Sequence, residues 1–384
     1  MDDAHYDWPT IAEVRDYRQQ LNNIIATTPL VLPIDWQNPW WTIIMGIEHE
    51  QIHIETSSVL IRQQTLGLVR THEAWQPWTK TAVAPNNELV SISSGTVSLG
   101  KSTDDPIYGW DNEYGSHKAE ISEFKASKFL VSNQEFLIFV EAGGYDNDDY
   151  WLAEGLQWKN FSKASHPTFW YQSAQGWQLR LMTEMIAMPW DWPAEVNYHE
   201  AKAFCNWKAA QTGLSVRLPT EDEWLRIYDF AGVEELTSTQ QASANIHCDH
   251  AASPCPVNQF AHGELYDVVG NVWQWTETPI YPLDGFEVHP LYDDFTMPTF
   301  DGRHNLFKGG SWISSGNESR KAARYAFRKH FFQHAGFRYV VADELEEQPV
   351  SNYENDKMLS EYAEFHYGDT YYDVANFPQT LADI

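Results

Sequence analysis

Two segments near the start of the chain carry apolar residues at helical spacing. In the first, apolar positions recur from Ile11 to Ile25, after a candidate cap at Asp7 and before a stop at Thr28-Pro29. The second begins at Asn38-Pro39, repeats isoleucine, valine and leucine at the same spacing, and ends near Gly67. A period of three to four residues predicts amphipathic α-helices for both segments.

Two helices joined by a short loop cannot bury two apolar faces by themselves, because a bundle core needs further helices opposite them. Residues 1–70 are therefore interpreted as part of a helical bundle. The missing face could come from an absent segment, from another chain, or from docking onto the rest of this protein.

From residue 90 to residue 343 the pattern changes to short strand-like runs, broken by Gly, Pro, Asn and Asp. Longer periodic stretches predict helices at Asn133 to Ala142, Tyr198 to Gly213 and Thr220 to Phe230, the last opened by Thr220 and Glu223 in capping-box order. The expected organisation is a helical segment at 1–70, a linker at 71–89, a loop-rich α+β domain at 90–343 and a tail at 344–384.

Composition narrows the class of partner. The formal net charge is −29, from 25 basic and 54 acidic residues, which argues against a nucleic acid or an anionic membrane and favours a small-molecule substrate. The chain has no apolar run long enough to cross a bilayer and no signal-peptide layout, so a cytoplasmic location is expected. Three cysteines, Cys205, Cys248 and Cys255, make a disulfide framework improbable.

The second helical segment contains candidate metal ligands, in the stretch His49-Glu50-Gln51-Ile52-His53. Imidazoles at i and i+4 leave one face of a helix, where both can bind one metal ion. The same letters spell H-E-x-x-H, in which Glu50 would activate a zinc-bound water for peptide hydrolysis. That alternative needs a third ligand, for which Glu73 lies at a tolerable distance in a stretch that resembles a loop.

Four motifs occur in order in the second domain: Leu218-Pro219-Thr220-Glu221-Asp222-Glu223-Trp224, Gly270-Asn271-Val272-Trp273-Gln274-Trp275, Gly309-Gly310-Ser311-Trp312 and Ala335-Gly336-Phe337-Arg338. Together they strongly resemble the sulfatase-modifying-factor, or formylglycine-generating-enzyme, fold. The resemblance implies a C-type-lectin-like α+β domain, often with structural calcium near the Asn-Val-Trp segment. Formylglycine-generating enzymes hold copper with cysteines near the C-terminal end, and the corresponding stretch 320–324 has none, which disfavours formylglycine synthesis.

Pairing His49-x-x-x-His53-x-Glu55 with that fold instead resembles the nonheme-iron sulfoxide synthases of thiohistidine biosynthesis, which join a DinB-like helical bundle to such a domain. Within this group, the sequence most resembles the ovothiol branch, the 5-histidylcysteine sulfoxide synthases. The matching stretches are 46–63, Pro290-Leu291-Tyr292-Asp293-Asp294-Phe295 and 328–338. Phe365-His366-Tyr367-Gly368 resembles the lead-in to that family's methyltransferase domain, so the chain is expected to be truncated at both ends.

The resemblance implies an Fe(II) enzyme that joins cysteine to the imidazole of histidine with O₂ and oxidises the sulfur to a sulfoxide. His49 and His53 are the expected iron ligands. The family's third histidine comes from a helix upstream of the pair, and His5, the only histidine of this chain before His49, is the candidate to take its place as third ligand. Glu55 points about 200° away from His53 around the helix, which favours a supporting role over direct ligation.

The remaining candidates follow from the needs of the reaction. A tyrosine hydroxyl can donate a proton while neutral, and the resemblance favours Tyr292, with Tyr281 second. Amino-acid substrates need matched charges, for which Arg324, Arg328 and Asp294 are candidates. The competing hypotheses are a noncatalytic relic, a subunit of a split enzyme completed by a separate chain that carries the missing helices, and a zinc metalloprotease.

Overall fold

The computed structural model describes residues 7–342, apart from positions 33, 35, 37, 235–242, 290, 291, 293 and 294. His5, Asp294 and the tail from residue 343 onward lie outside the described residues. Among the described residues, no helix is both long enough and apolar enough to cross a membrane.

Helices form at all five segments where the sequence predicted them, and a sixth, Ala153–Ser162, was not predicted. The second segment ends at Gln63, earlier than the predicted Gly67. The described residues contain α1 Ile11–Thr27, α2 Pro39–Gln63, α3 Asn133–Glu141, α4 Ala153–Ser162, α5 Tyr198–Thr212 and α6 Glu221–Ala231. Asn38 caps α2 through its side-chain oxygen, and Thr220 with Glu223 forms the predicted capping box of α6. The predicted cap of α1 was wrong: Thr10, in a capping box with Glu13, starts that helix instead of Asp7, because only Thr10 has the acidic residue three positions later.

Short strands fill the second part of the chain. They are β1 Leu89–Ile92, β2 Gly95–Leu99, β3 His117–Ile121, β4 Phe124–Ser127, β5 Trp170–Ser173, β6 Gly176–Arg180, β7 Met185–Ala187, β8 Val216–Arg217, β9 Ala261–His262, β10 Leu265–Tyr266, β11 Trp273–Pro279, β12 His304–Lys308, β13 Tyr325–Arg328, β14 Ala335–Gly336 and β15 Val340–Val341. Two sheets have four strands each, in the orders β1-β4-β15-β8 and β13-β12-β11-β14. Mixed helices and sheets confirm the predicted α+β class.

The core is unusually aromatic. Its largest fully buried side chains include Trp170, Trp192, Trp224, Trp275 and Trp312. Several indole nitrogens donate inward, as in the hydrogen bond of 3.0 Å from Trp275 Nε1 to the Val196 carbonyl. Such rings fill the space between short strands and loops, where long aliphatic runs are scarce.

The two N-terminal helices differ in how they pack. Helix α2 docks on the second domain, with Trp41 and Val59 each 2% exposed. Helix α1 has no buried residue, and its Ile11 is 72% exposed. The apolar face that the sequence predicted for α1 is therefore left uncovered by the described part of the chain.

Candidate functional site

The histidine pair lies on α2 beside a tyrosine of the second domain. The ring centroids of His49 and His53 are 4.4 Å apart, with the rings close to perpendicular. The Tyr292 hydroxyl lies 3.1 Å from His49 Nε2, although 243 residues separate the two in the sequence. His49 is half-buried and His53 is exposed, so the pair spans the edge between protein and solvent.

Aromatic packing holds Tyr292 in this position. Its ring lies 5.5 Å from Phe295 and 6.0 Å from Trp110, and the latter two rings stack at 3.8 Å. The buried indole of Trp110 donates a hydrogen bond of 2.8 Å to the Tyr325 hydroxyl, which holds the Trp110 ring in the stack. The structure thus brings Tyr292 to the histidine pair on a packed aromatic wall, and its role as proton donor stays a prediction.

Glu55 faces the second domain, where its carboxylate accepts three hydrogen bonds. Oε1 accepts from the Trp273 indole at 2.7 Å and from the Ser311 hydroxyl at 2.9 Å, and Oε2 accepts from the Ser314 hydroxyl at 2.7 Å. Glu55 is 4% exposed. These contacts fix the rotation of α2 about its own axis, and with it the direction in which the histidines point.

A second anchor lies two turns further along α2. Both terminal nitrogens of Arg62 donate to Glu195, at 2.6 and 2.7 Å, while its Nε donates to the Arg180 carbonyl. Burial by itself raises the pKa of Glu195, but the Arg62 charge and a hydrogen bond with His334 outweigh it and lower the pKa to about 2. The bidentate geometry makes this a specific attachment point, and sequence analysis missed it because 133 residues separate the partners.

Glu48 anchors the same helix nearer its start. Its carboxylate accepts the Asn317 backbone N–H at 3.0 Å, and burial raises its pKa. A Cβ on Gly316 would meet the ends of the Gln51 and Glu48 side chains, so any other residue there would force these two side chains to shift. Gly316 also has φ of +59°, which favours glycine.

A groove of about 620 Å³ opens beside His53, between α2 and the segment that follows it. Its walls are formed by Glu50, His53, Ile54, Ser57, Ser58, Ile61, Gln64, Leu68, Val69, Arg70, His72, Trp75, Met182 and Thr183. Of these, only His53 and Glu50, both on α2, were identified from the sequence as candidate chemical groups. The other lining residues come from α2, from the stretch after it that includes His72 and Trp75 of the predicted linker, and from Met182 and Thr183 of the second domain.

Two predicted site residues, Arg324 and Tyr281, make structural contacts with each other and with neighbouring loops. Arg324 is 1% exposed, and its guanidinium donates to Glu221 and to the carbonyls of Asn112 and Tyr281. Its guanidinium also lies 4.8 Å from the Tyr281 ring centroid. Buried and engaged in this way, Arg324 ties loops together rather than reaching substrate, and Tyr281 packs with it rather than with His49.

Arg328 lies on β13 opposite His304 of β12. Its guanidinium is 3.6 Å from a carboxylate oxygen of Asp301, and its side chain is 20% exposed. The structure therefore leaves Arg328 at a partly open surface, and its predicted part in substrate binding stays a prediction.

The residues at the site suit a transition metal in part. Two adjacent imidazoles from one helix are donors that iron and zinc accept. Among the described residues, no cluster of three or more His, Cys, Asp or Glu side chains could hold a metal ion. The pair thus fits as two ligands of a larger set, and the zinc-protease alternative gains no third protein ligand from the described residues.

The carbonyls near the Asn-Val-Trp segment are already hydrogen-bonded. The Gln274 amide donates to the carbonyls of Asp267 and Val268, and Arg338 donates to those of Tyr266 and Asp267. One carboxylate oxygen beside them, Asp267 Oδ1, is buried without a hydrogen-bond partner among the described residues. The predicted structural calcium at this place therefore stays a prediction. All three cysteines are free thiols.

Comparison with known proteins places these observations in a family context. Residues 76–343 match the sulfatase-modifying factor enzyme 1-like domain. The chain is 28% identical to the hercynine oxygenase of Mycobacterium tuberculosis, over 78% of this chain and 71% of that protein. It is 24% identical to ergothioneine biosynthesis protein 1 of Neurospora crassa, over 88% and 47%, and 28% identical to the bovine formylglycine-generating enzyme, over 60% and 67%. The chain thus spans only part of each relative.

Proposed function

Because the chain belongs to the sulfatase-modifying factor enzyme 1-like family, we propose that it is an iron- and O₂-dependent oxidoreductase that joins a cysteine thiol to an imidazole carbon and oxidises the sulfur to a sulfoxide. The relatives named as hercynine oxygenase and ergothioneine biosynthesis protein 1 support an oxidative reaction on such substrates. The observation that carries the proposal is the histidine pair with the Tyr292 hydroxyl 3.1 Å from His49 Nε2.

The reaction balances with O₂ as the only oxidant. One S–H bond and one imidazole C–H bond break, a C–S bond forms, one oxygen atom remains on sulfur, and the other leaves as water with the two released hydrogens. Four electrons pass from the two substrates to O₂. We assign histidine as the imidazole substrate, as in ovothiol biosynthesis, on the resemblance of residues 46–63 and 328–338.

Each residue at the site has a distinct task in this proposal. His49 and His53 would hold Fe(II), which when bound supplies open positions for a thiolate and for dioxygen. Tyr292 Oη holds a proton next to His49 and can release it to the reacting groups while the phenol starts neutral. Glu55 and Arg62 keep α2 in place, so that the ring nitrogens do not move as substrate enters.

Exposed apolar residues on α1 support a split enzyme as the second candidate. Ile11, Tyr17 and Ile24 are each at least 60% exposed, and exposed apolar stripes of this kind commonly mark a protein contact. The proposed partner is a separate chain that supplies further helices and a third ligand. Co-expression with such a helical segment is expected to raise the iron content, and no change would remove this candidate.

Metal content and product formation test the proposed activity together. The purified chain is loaded with Fe(II) without oxygen, and iron is measured for the wild type, for His49→Ala/His53→Ala and for His166→Ala as a control. His166 lies elsewhere, with Nδ1 near the Pro167 carbonyl. We expect the double variant alone to lose iron.

Aerobic incubation with cysteine and histidine then tests the chemistry. Mass spectrometry should find an adduct whose mass equals the sum of the two amino acids and one oxygen atom less two hydrogens. Equal iron in all three proteins would refute the assignment of the ligands. Bound iron without any adduct, with the candidate helices present, would refute the reaction.

A further inference from the structure

The groove beside His53 contains two opposite charges that the fold does not use. Arg70 and Glu50 both line it, and both side chains are exposed. Within the described part of the chain, neither takes part in an ion pair, with the other or with a third residue.

A second guanidinium lies behind the rim of the same groove. Arg180 is 2% exposed, and its Nη2 donates to the carbonyl of Gln64, a groove residue, at 3.3 Å. Its Nη1 is buried and has no hydrogen-bond partner among the described residues. A buried cation without a nearby carboxylate raises the electrostatic potential at the groove and favours an anion there.

Local structure holds Arg70 at this position. After α2 ends at Gln63, residues Leu66–Leu68 form one 3-10 turn, and the Val69 N–H donates to the Leu66 carbonyl at 3.1 Å. The turn sends the chain back along the groove, so that Leu68, Val69 and Arg70 all line it. Arg70 thereby lines the same groove as Glu50 and His53 of α2.

We propose that this groove binds the zwitterionic head of an α-amino-acid substrate, with Arg70 on the carboxylate and Glu50 on the ammonium group. The assignment of the amino acid as a substrate rests on the proposed function, whereas the binding site itself does not. A groove of about 620 Å³ lies within the range of small-molecule sites, roughly 300–1,000 Å³. Its apolar residues, such as Ile54 and Met182, would contact the side chain of the amino acid.

Calorimetric titration of the metal-free chain tests this site without any turnover. L-Histidine and L-cysteine are titrated into the wild type, Arg70→Ala, Glu50→Gln and the control Arg18→Ala, whose arginine is exposed on α1. Histamine, which lacks the carboxylate, and imidazolepropionate, which lacks the ammonium group, are titrated as matched probes. Equal melting temperatures verify that the variants are folded.

The Arg70 and Glu50 variants should affect different probes. We expect Arg70→Ala to bind L-histidine about 10- to 100-fold more weakly and to bind histamine unchanged, since a charge-assisted hydrogen bond is lost only with the carboxylate. Glu50→Gln should weaken L-histidine and leave imidazolepropionate unchanged. Wild-type affinity in Arg70→Ala, or a wild type that binds neither amino acid at millimolar concentration, would overturn the inference.

Failure of this site and failure of the proposed function give different results. Selective binding by a chain that forms no sulfoxide adduct would keep the binding site and refute the synthase. An active chain in which Arg70→Ala has an unchanged KM for both amino acids would keep the synthase and refute the binding site.

Discussion

Replacing Glu55 by alanine tests whether hydrogen bonds to the second domain position the histidine helix. The substitution removes the acceptor of three buried donors: Trp273 is 2% exposed, and Ser311 and Ser314 are fully buried. The two serine oxygens are 3.2 Å apart, so their hydroxyls can bond to each other after the loss. The Trp273 indole has no such replacement and would be left unpaired.

The expected cost follows from these contacts. An unpaired buried donor costs about 1–3 kcal/mol, and loss of two further bonds to a charged acceptor adds to that, so we expect a decrease of about 3–5 kcal/mol in the free energy of unfolding. Glu55→Gln keeps one oxygen for the indole, and its amide can donate to a serine, so its cost should be about 1 kcal/mol.

Urea unfolding followed by tryptophan fluorescence measures the difference, with iron affinity as a second readout. Gln63→Ala is the control, since Gln63 is exposed on the same helix and should change stability by less than about 0.5 kcal/mol. We also expect Glu55→Ala to bind iron more weakly, because α2 can then rotate. A loss of less than about 1 kcal/mol, equal to that of Gln63→Ala, would show that these bonds do not hold the helix.

Two further predictions concern other buried or partly buried groups. Tyr292→Phe keeps the ring packed against Phe295 and removes only the hydroxyl near His49. The free energy of unfolding should therefore change by about 1 kcal/mol or less, while the rate of adduct formation should fall about 100-fold or more. An unchanged rate would exclude Tyr292 as the proton donor. Burial raises the pKa of Glu200 to about 7 from its ordinary 4.5, although bonds from Tyr145 and Asn197 oppose the shift. Because the carboxyl pKa is higher in the folded than in the unfolded state, the free energy of unfolding of the wild type should fall by roughly 2–3 kcal/mol as the pH rises from 4.5 to 7. Unfolding experiments at pH 5 and pH 8 should show this loss in the wild type and not in Glu200→Gln. An equal change of stability with pH in both proteins would contradict the prediction.

Local signals in the sequence predicted the elements that carry the site. Apolar spacing located both helical segments, and Asn38 as a cap and Thr28 as a stop gave the start of α2 and the end of α1, because these are interactions within a few residues. The i and i+4 spacing of His49 and His53 was likewise sufficient to bring the rings together. In each case, the partners lie within one or two helical turns of each other.

Contacts between distant residues could not be predicted in this way. Arg324 was a candidate for substrate binding until the structure showed it paired with Glu221, 103 residues away. Arg70 lies in a stretch that the sequence predicted to be a loop, and the turn after α2 brings it into the groove with His53. A charged residue can form a structural ion pair inside the protein or bind a ligand, and the position of its counter-charge in the fold shows which of the two it does.

Helix α2 shows why periodicity can predict a helix and still leave its orientation open. Trp41, Glu48, Glu55 and Arg62 recur every seven residues and are all buried, whereas Ile47, Ile54 and Leu60 are more than half exposed. A seven-residue repeat keeps these four residues on nearly one line along the helix, so the face that meets the second domain carries three charged residues. If burial of apolar side chains alone set the rotation of α2, the isoleucines would face the second domain and the histidines would point elsewhere. Because buried ion pairs and hydrogen bonds add more specificity than stability, the charged stripe selects one rotation of α2, and that rotation puts His49 at Tyr292 and His53 at the groove.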